Sequence, residues 1–245
     1  MKKGLTEIVF ILDKSGSMSG LEDDTIGGYN SFLSKQKKEE GDAVISTVFF
    51  STDSLVVHNR VPIKSVEKLT AKDYQVGGCT ALLDAVGDSI CHIVKVHKAL
   101  KEEDVPNKTI FVISTDGMEN SSTEFSYEKL KSMIEKETEE YGWEFIFLGA
   151  NMDAVKEGAK FGIRSDHATT YTHDSKGTRM QFDCVCQSIS GLRKGESLPK
   201  DWNKEIILYN KKNDIVKKMN KGKKKHLKRM SKLPLMITPK NNPFN

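Results

Sequence analysis

The chain has 245 residues, 29% of them charged and 37% hydrophobic, with 38 Lys and Arg against 34 Asp and Glu. That composition excludes collagen-like, mucin-like and wholly disordered chains, and it allows one medium domain with an extension or two small ones. The net charge of +4 conceals a division, because residues 1–192 sum to −8 and residues 193–245 to +12; an acidic body precedes a basic tail, and each needs its own explanation.

In chain order, Glu7 to Leu12 reads as a buried strand, its run Ile8 to Leu12 continuously apolar as in a parallel strand covered on both faces. Lys2 and Lys3 precede it, but Asp13-Lys14 stops the run short of a signal-peptide core, and no stretch approaches the ~18 apolar residues of a membrane span. A helix is expected from about Asp24 to Lys38, with Ile26, Tyr29, Phe32 and Leu33 on one face and Asp23 and Asp24 at its start, where carboxylates offset the helix dipole. Ala43 to Phe50 is the next strand, with Leu55 to His58 as its hairpin partner. Ala81 to His97 reads as a helix, Thr109 to Ser114 as a buried strand, and Tyr127 to Glu140 as a helix. Trp143 to Leu148 follows as a strand, Ala154 to Phe161 as a short helix, Ala168 to Tyr171 as a last strand and Thr178 to Leu192 as a closing helix.

Strands alternating with crossover helices predict an α/β fold: a doubly wound, mostly parallel sheet with helices on both faces. The body is expected to end at residue 192, with 193–245 as a partly disordered basic extension in which Lys200 to Tyr209 adds a short strand or helix. Four cysteines, Cys79, Cys91, Cys184 and Cys186, form no CxxC pair, which favours reduced thiols in a cytoplasm.

In doubly wound sheets the ligand site lies beyond the carboxyl ends of the strands. The first strand runs into Asp13-Lys14-Ser15-Gly16-Ser17, the 109–114 strand into Thr115-Asp116-Gly117, and the helix beginning near Ala81 is preceded by Gly77-Gly78-Cys79-Thr80. Two carboxylates, several hydroxyls and backbone-exposing glycines thus gather at one edge. All the prominent donors are oxygens, which suits a hard divalent cation, Mg²⁺ most naturally, with Mn²⁺ or Ca²⁺ as substitutes. Asp13, Ser15 and Ser17 at alternate positions point the same way along an extended turn, and with few formal charges the ion stays electrophilic towards an incoming anionic oxygen.

These residues resemble the metal-ion-dependent adhesion site of the von Willebrand factor A domain family: D-x-S-x-S, a later Thr, then an Asp in a T-D-G turn. Asp13, Ser15, Ser17, Thr80 and Asp116 fill all five positions, and the likeness covers roughly residues 5 to 192. The segments Gly27 to Phe32, Thr80 to Ala85 and Trp143 to Asn151 look like those of stand-alone bacterial and phage members. The resemblance implies a doubly wound sheet with one antiparallel edge strand, which the Ala43–His58 hairpin fits. It also implies a protein partner supplying an Asp or Glu to the metal, with no catalysis, and an AAA+ ATPase as the first partner to test. Glu119 and Asn120, following the last motif aspartate, are candidate contacts to that partner or to a metal-bound water.

Two alternatives remain. The run Lys217 to Arg229 is densely cationic, so it is either a solvated tail or a nonspecific contact to nucleic acid; it lacks the aromatic interleaving that stacking on single strands needs. A metal-assisted hydrolase would need a general base beside Asp116, and Glu119 is the one adjacent candidate. No P-loop, G-x-G-x-x-G or G-x-S-x-G motif follows any strand.

Overall fold

A computed structural model of the chain describes residues 1–216; the cationic run 217–229 lies outside the described residues. Strand β1 (Lys2–Asp13) lies between β2 (Asp42–Phe50) and β4 (Pro106–Thr115), parallel to both. Its side chains show why the apolar run is continuous. Ile8, Phe10 and Leu12 enter one hydrophobic layer and Val9 and Ile11 the other, all almost completely buried. Each such side chain contributes about 1.5–3 kcal/mol by leaving water, so the central strand is held from both faces.

The sheet order is β3-β2-β1-β4-β5-β6, with β3 (Ser54–Pro62), β5 (Glu144–Ala150) and β6 (Ala168–Tyr171) completing it. Only the β2–β3 hairpin pairs antiparallel, as expected of the edge strand. Helices α1 (Glu22–Gln36) and α5 (Ser175–Arg193) cover one face through Tyr29, Phe32, Phe182 and Ile189. On the other face lie α2 (Leu82–Ala99), α3 (Tyr127–Tyr141) and α4 (Ala154–Lys160), through Val86, Ile90, Leu130, Ile134 and Ala154. The predicted architecture is the observed one.

Local chemistry sets the helix ends. Ser126 and Asp174 accept from Lys129 N and Gly177 N at the starts of α3 and α5, and Gly142, at φ 65°, ends α3 in the left-handed region. Close approach of α1 to α5 depends on Gly28, where a Cβ would stand 2.2 Å from the Phe182 ring.

The packed body continues past Leu192. Residues 204–216 are helical, Trp202 and Ile206 are buried against the α1/α5 face, and Trp202 Nε1 donates to the Asp166 carbonyl at 2.8 Å. Of the strand or helix expected over Lys200–Tyr209, the helix forms, and it belongs structurally to the body. No described helix is long and apolar enough to cross a membrane.

Candidate metal centre

The three strand-end loops meet at the carboxyl edge between β1 and β4. Asp13 is buried at the last position of β1; its Oδ1 accepts from Ser15 N at 2.7 Å and its Oδ2 from Thr115 Oγ1 at 2.6 Å. The Asp13 carbonyl accepts from the buried Tyr74 hydroxyl, which fixes the strand end from below. Burial pushes the Asp13 carboxyl above its ordinary value of 3.8, against the downward pull of the Thr115 and Ser15 hydrogen bonds. A nearby cation would supply the compensation that burial removes.

Ser15 and Ser17 bring their hydroxyl oxygens to 3.0 Å, and Ser17 Oγ donates to Asp116 Oδ1 at 2.6 Å. Thr80 faces the same spot: a Cβ at Gly117 would stand 3.1 Å from Thr80 Oγ1 and 3.4 Å from Ser17 Oγ. Two hydroxyls from different loops therefore flank one small residue of the Asp116 turn. Adjacent ligands on an octahedral ion with bonds of about 2.1 Å lie about 3 Å apart, so the 3.0 and 2.6 Å oxygen pairs are near the spacing that a small hard cation needs. Asp116 Oδ2 has less than a square ångström of exposure and makes no hydrogen bond, although an imidazole nitrogen stands within ion-pair distance of it. The donor set fits a divalent cation. It consists of hydroxyls and two carboxylates, a set that relies on hydroxyl oxygens because no group of three or more His, Cys, Asp or Glu among the described residues is placed to hold a metal ion.

Backbone contacts lock the loops together. Gly77 N donates to the Lys14 carbonyl at 2.8 Å, Gly16 N to the Gly78 carbonyl at 3.1 Å, and Ala81 N to the Ser51 carbonyl at 2.8 Å. Gly78 has φ 82°, and a Cβ there would stand 2.8 Å from Thr52 Oγ1, so the turn that delivers Thr80 needs glycine twice over.

Glu119 and Asn120 are drawn into the scaffold. Glu119 accepts from Leu83 N at the start of α2 and from the backbone of Ser121 and Ser122, while Asn120 and Thr80 exchange two bonds of 2.9 and 3.1 Å. Asp84 accepts from the backbone N–H groups of residues 123, 124 and 125. The rim after Asp116 is thereby fastened to α2, leaving Met118 exposed at its tip. Thr115, the first residue of the T-D-G turn, and Asp84, which stands outside the five motif positions, both organise the centre. His173, two residues beyond β6, also reaches the site, with Nε2 2.7 Å from Asp116 Oδ2. The strand-end rule that pointed to Asp13 and Asp116 applies equally to it.

Fold and site together define a von Willebrand factor A fold with a metal-ion-dependent adhesion site motif. Solved structures with that fold include proximal thread matrix protein 1 of the mussel byssus, at 17% identity and TM-score 0.51, covering 76% of this chain and 46% of that one. The same protein has been solved with a zinc-occupied adhesion-site motif. A von Willebrand factor type A protein from Catenulispora acidiphila matches at 15% identity and TM-score 0.50, over 76% of this chain and 42% of its own. The manganese-loaded TRAP protein of Plasmodium vivax matches at 14% and 0.52, over 74% of each chain. This chain thus spans less than half the length of the first of these structures. No protein-family model and no curated protein matches the sequence.

Proposed function

We propose that the protein is a divalent-cation-dependent protein-interaction module: Asp13, Ser15, Ser17, Thr80 and Asp116 hold the ion, and a partner's Asp or Glu completes its coordination. The observation that carries this reading is the convergence of Ser15, Ser17, Thr80 and Asp116 side-chain oxygens from three loops at the sheet's carboxyl edge, with only two carboxylates among the five residues. An ion so held keeps net positive charge for an external anion. Zinc- and manganese-loaded proteins of the same fold support a divalent ion here. Mg²⁺ is the resident ion we propose, with Mn²⁺ or Ca²⁺ as substitutes, in a cytoplasmic setting where an AAA+ ATPase is the first partner to test.

When bound, the ion supplies a Lewis-acidic position for a carboxylate. The protein's own part is orientation: Asp13 fixes Ser15 and Thr115, the Asn120–Thr80 pair sets the third loop, and exposed Met118 offers an apolar contact beside the ion. Glu119, the adjacent general-base candidate, has both oxygens engaged with backbone N–H groups, which favours binding over hydrolysis.

An affinity capture run in Mg²⁺ and again in EDTA, with wild type and Asp13→Ala, tests the proposal. Partners held only by wild type and only with the ion are expected. A partner retained by Asp13→Ala in EDTA at unchanged affinity refutes the mechanism.

A further inference from the structure

Among the described residues His173 is the one imidazole at the cluster, and nothing in the adhesion-site motif accounts for it. Its Nε2 lies 2.7 Å from Asp116 Oδ2, yet the two atoms are not aligned as a hydrogen bond, and each is buried without a hydrogen-bond partner. The two stand within ion-pair distance, and a cation beside them would engage both atoms at once. Their separation is close to the edge that two neighbouring ligands make on one octahedral ion.

The loop bearing His173 is built to hold it there. Asn210 Nδ2 donates to the Thr170 carbonyl at 2.6 Å, Thr172 Oγ1 donates to Asn210 Oδ1 at 2.7 Å, and the Tyr209 hydroxyl donates to Asp174 Oδ2 at 3.1 Å. Asp174 also caps α5, and Gly177 lets that helix press onto the Thr172 carbonyl, 1.9 Å from where a Cβ would be. Helix 204–216 and the α5 N-terminus thus grip the residues on either side of His173.

We propose that His173 Nε2 is a nitrogen ligand of the ion at this centre and shifts its preference from Mg²⁺ towards Zn²⁺. The inference rests on the cation site proposed above. An all-oxygen set suits Mg²⁺ and Mn²⁺, whereas imidazole suits Zn²⁺.

The test uses the full chain, stripped of metal, as wild type, His173→Ala, His173→Asn and Asp13→Asn. Pulsed electron paramagnetic resonance of bound Mn²⁺ reads ligand nitrogen directly, and calorimetric titration gives Mg²⁺ and Zn²⁺ affinities, the latter in a Cys79→Ser background. Expected are imidazole ¹⁴N coupling in wild type that disappears in both His173 variants, and Zn²⁺ affinity weakened about 10–100-fold with Mg²⁺ affinity little changed. Mn²⁺ bound without nitrogen coupling in wild type, or Zn²⁺ and Mg²⁺ weakened in equal proportion by His173→Ala, overturns the role of His173 alone. Ion binding absent from wild type, or undiminished in Asp13→Asn, overturns the site itself.

Discussion

Asp13→Asn separates the cost of building the centre from the gain of filling it. The change is isosteric. Asparagine can keep its oxygen on Ser15 N, at 2.7 Å from Oδ1 now, and turn its amide towards Thr115 Oγ1, at 2.6 Å from Oδ2. The Thr115 hydroxyl has a second acceptor, the Gly117 carbonyl at 3.0 Å, so it can accept from the amide without losing its own bond. What disappears is a buried negative charge that burial already disfavours. The loss of charge-assisted hydrogen bonding and the relief of desolvation oppose each other, leaving metal-free stability within about 1 kcal/mol of wild type. The response to metal differs. At an ion concentration 100 times its Kd, wild type gains about 2.7 kcal/mol, which for a chain of this size raises Tm by about 5–11 °C. Thermal unfolding followed by circular dichroism, in EDTA and in saturating Mn²⁺, should therefore show similar apo midpoints and an ion-induced rise in wild type only. An equal rise in Asp13→Asn, or an apo midpoint lowered by more than about 10 °C, would show that the carboxylate serves the fold and not the ion.

Gly117→Ala sets a methyl 3.1 Å from Thr80 Oγ1 and 3.4 Å from Ser17 Oγ, so ion affinity should fall about 10-fold while the metal-free Tm barely moves, as read by calorimetric titration and melting. Gly28→Ala drives a methyl to 2.2 Å from the Phe182 ring and should cost about 1–3 kcal/mol in urea unfolding, with ion affinity preserved. At the opposite end of the sheet, His167 bonds Glu144 at 2.9 Å and Asp166 at 2.8 Å. Burial opposes the charge on Glu144, but His167 and Lys108 outweigh it and hold the carboxyl at about 2, below the ordinary 4.5. His167 is raised above 6.5, the two carboxylates overcoming its burial. The carboxylate contribution is complete above pH 4.5 and lost towards pH 2, and the histidine contribution is complete below pH 6.5 and lost as pH rises through the raised value. The stability difference between wild type and His167→Gln should thus peak between pH 4.5 and 6.5; a flat difference would contradict the pairing. Ending the chain at residue 200 removes buried Trp202 and Ile206 and should cost at least about 3 kcal/mol in urea unfolding; an unchanged midpoint would contradict the packing of this segment on the body.

The layers of the fold were legible because a strand buried on both faces must be apolar at every position. Ile8 to Leu12 shows that in five letters, and the structure divides those same residues between two hydrophobic clusters. The adhesion-site motif was legible for a related reason: strand ends and turns restrict which residues fit, so Asp13, Ser15, Ser17 and Asp116 sit where a small set of backbone conformations puts them. The contacts that support these residues have no such local signature. Asp84 meets the backbone of residues 123–125 about forty positions away, and Thr115 meets Asp13 across 102 positions, contacts fixed by sheet order rather than by periodicity. The T-D-G turn marks Thr115 by its place in the motif, but its bond to Asp13, like the part played by an aspartate in a helix's first turn, is visible only in the assembled topology.

The same reasoning explains the boundary set at residue 192. It followed the change in charge, yet a charged stretch can still carry a helix whose apolar residues need cover, because charge and burial alternate along a helix at its own period. Trp202 and Ile206 meet the body while Lys204 and Glu205 between them stay in water. Past them, Tyr209, Asn210 and Asn213 bond the Thr170–Asp174 loop, which also carries His173. Composition therefore located the change in surface chemistry, while tertiary packing carries the body at least as far as Asn213. The segment that follows residue 192 is basic outside and apolar where it touches the sheet's covering layer, and it braces the loop next to the proposed ion.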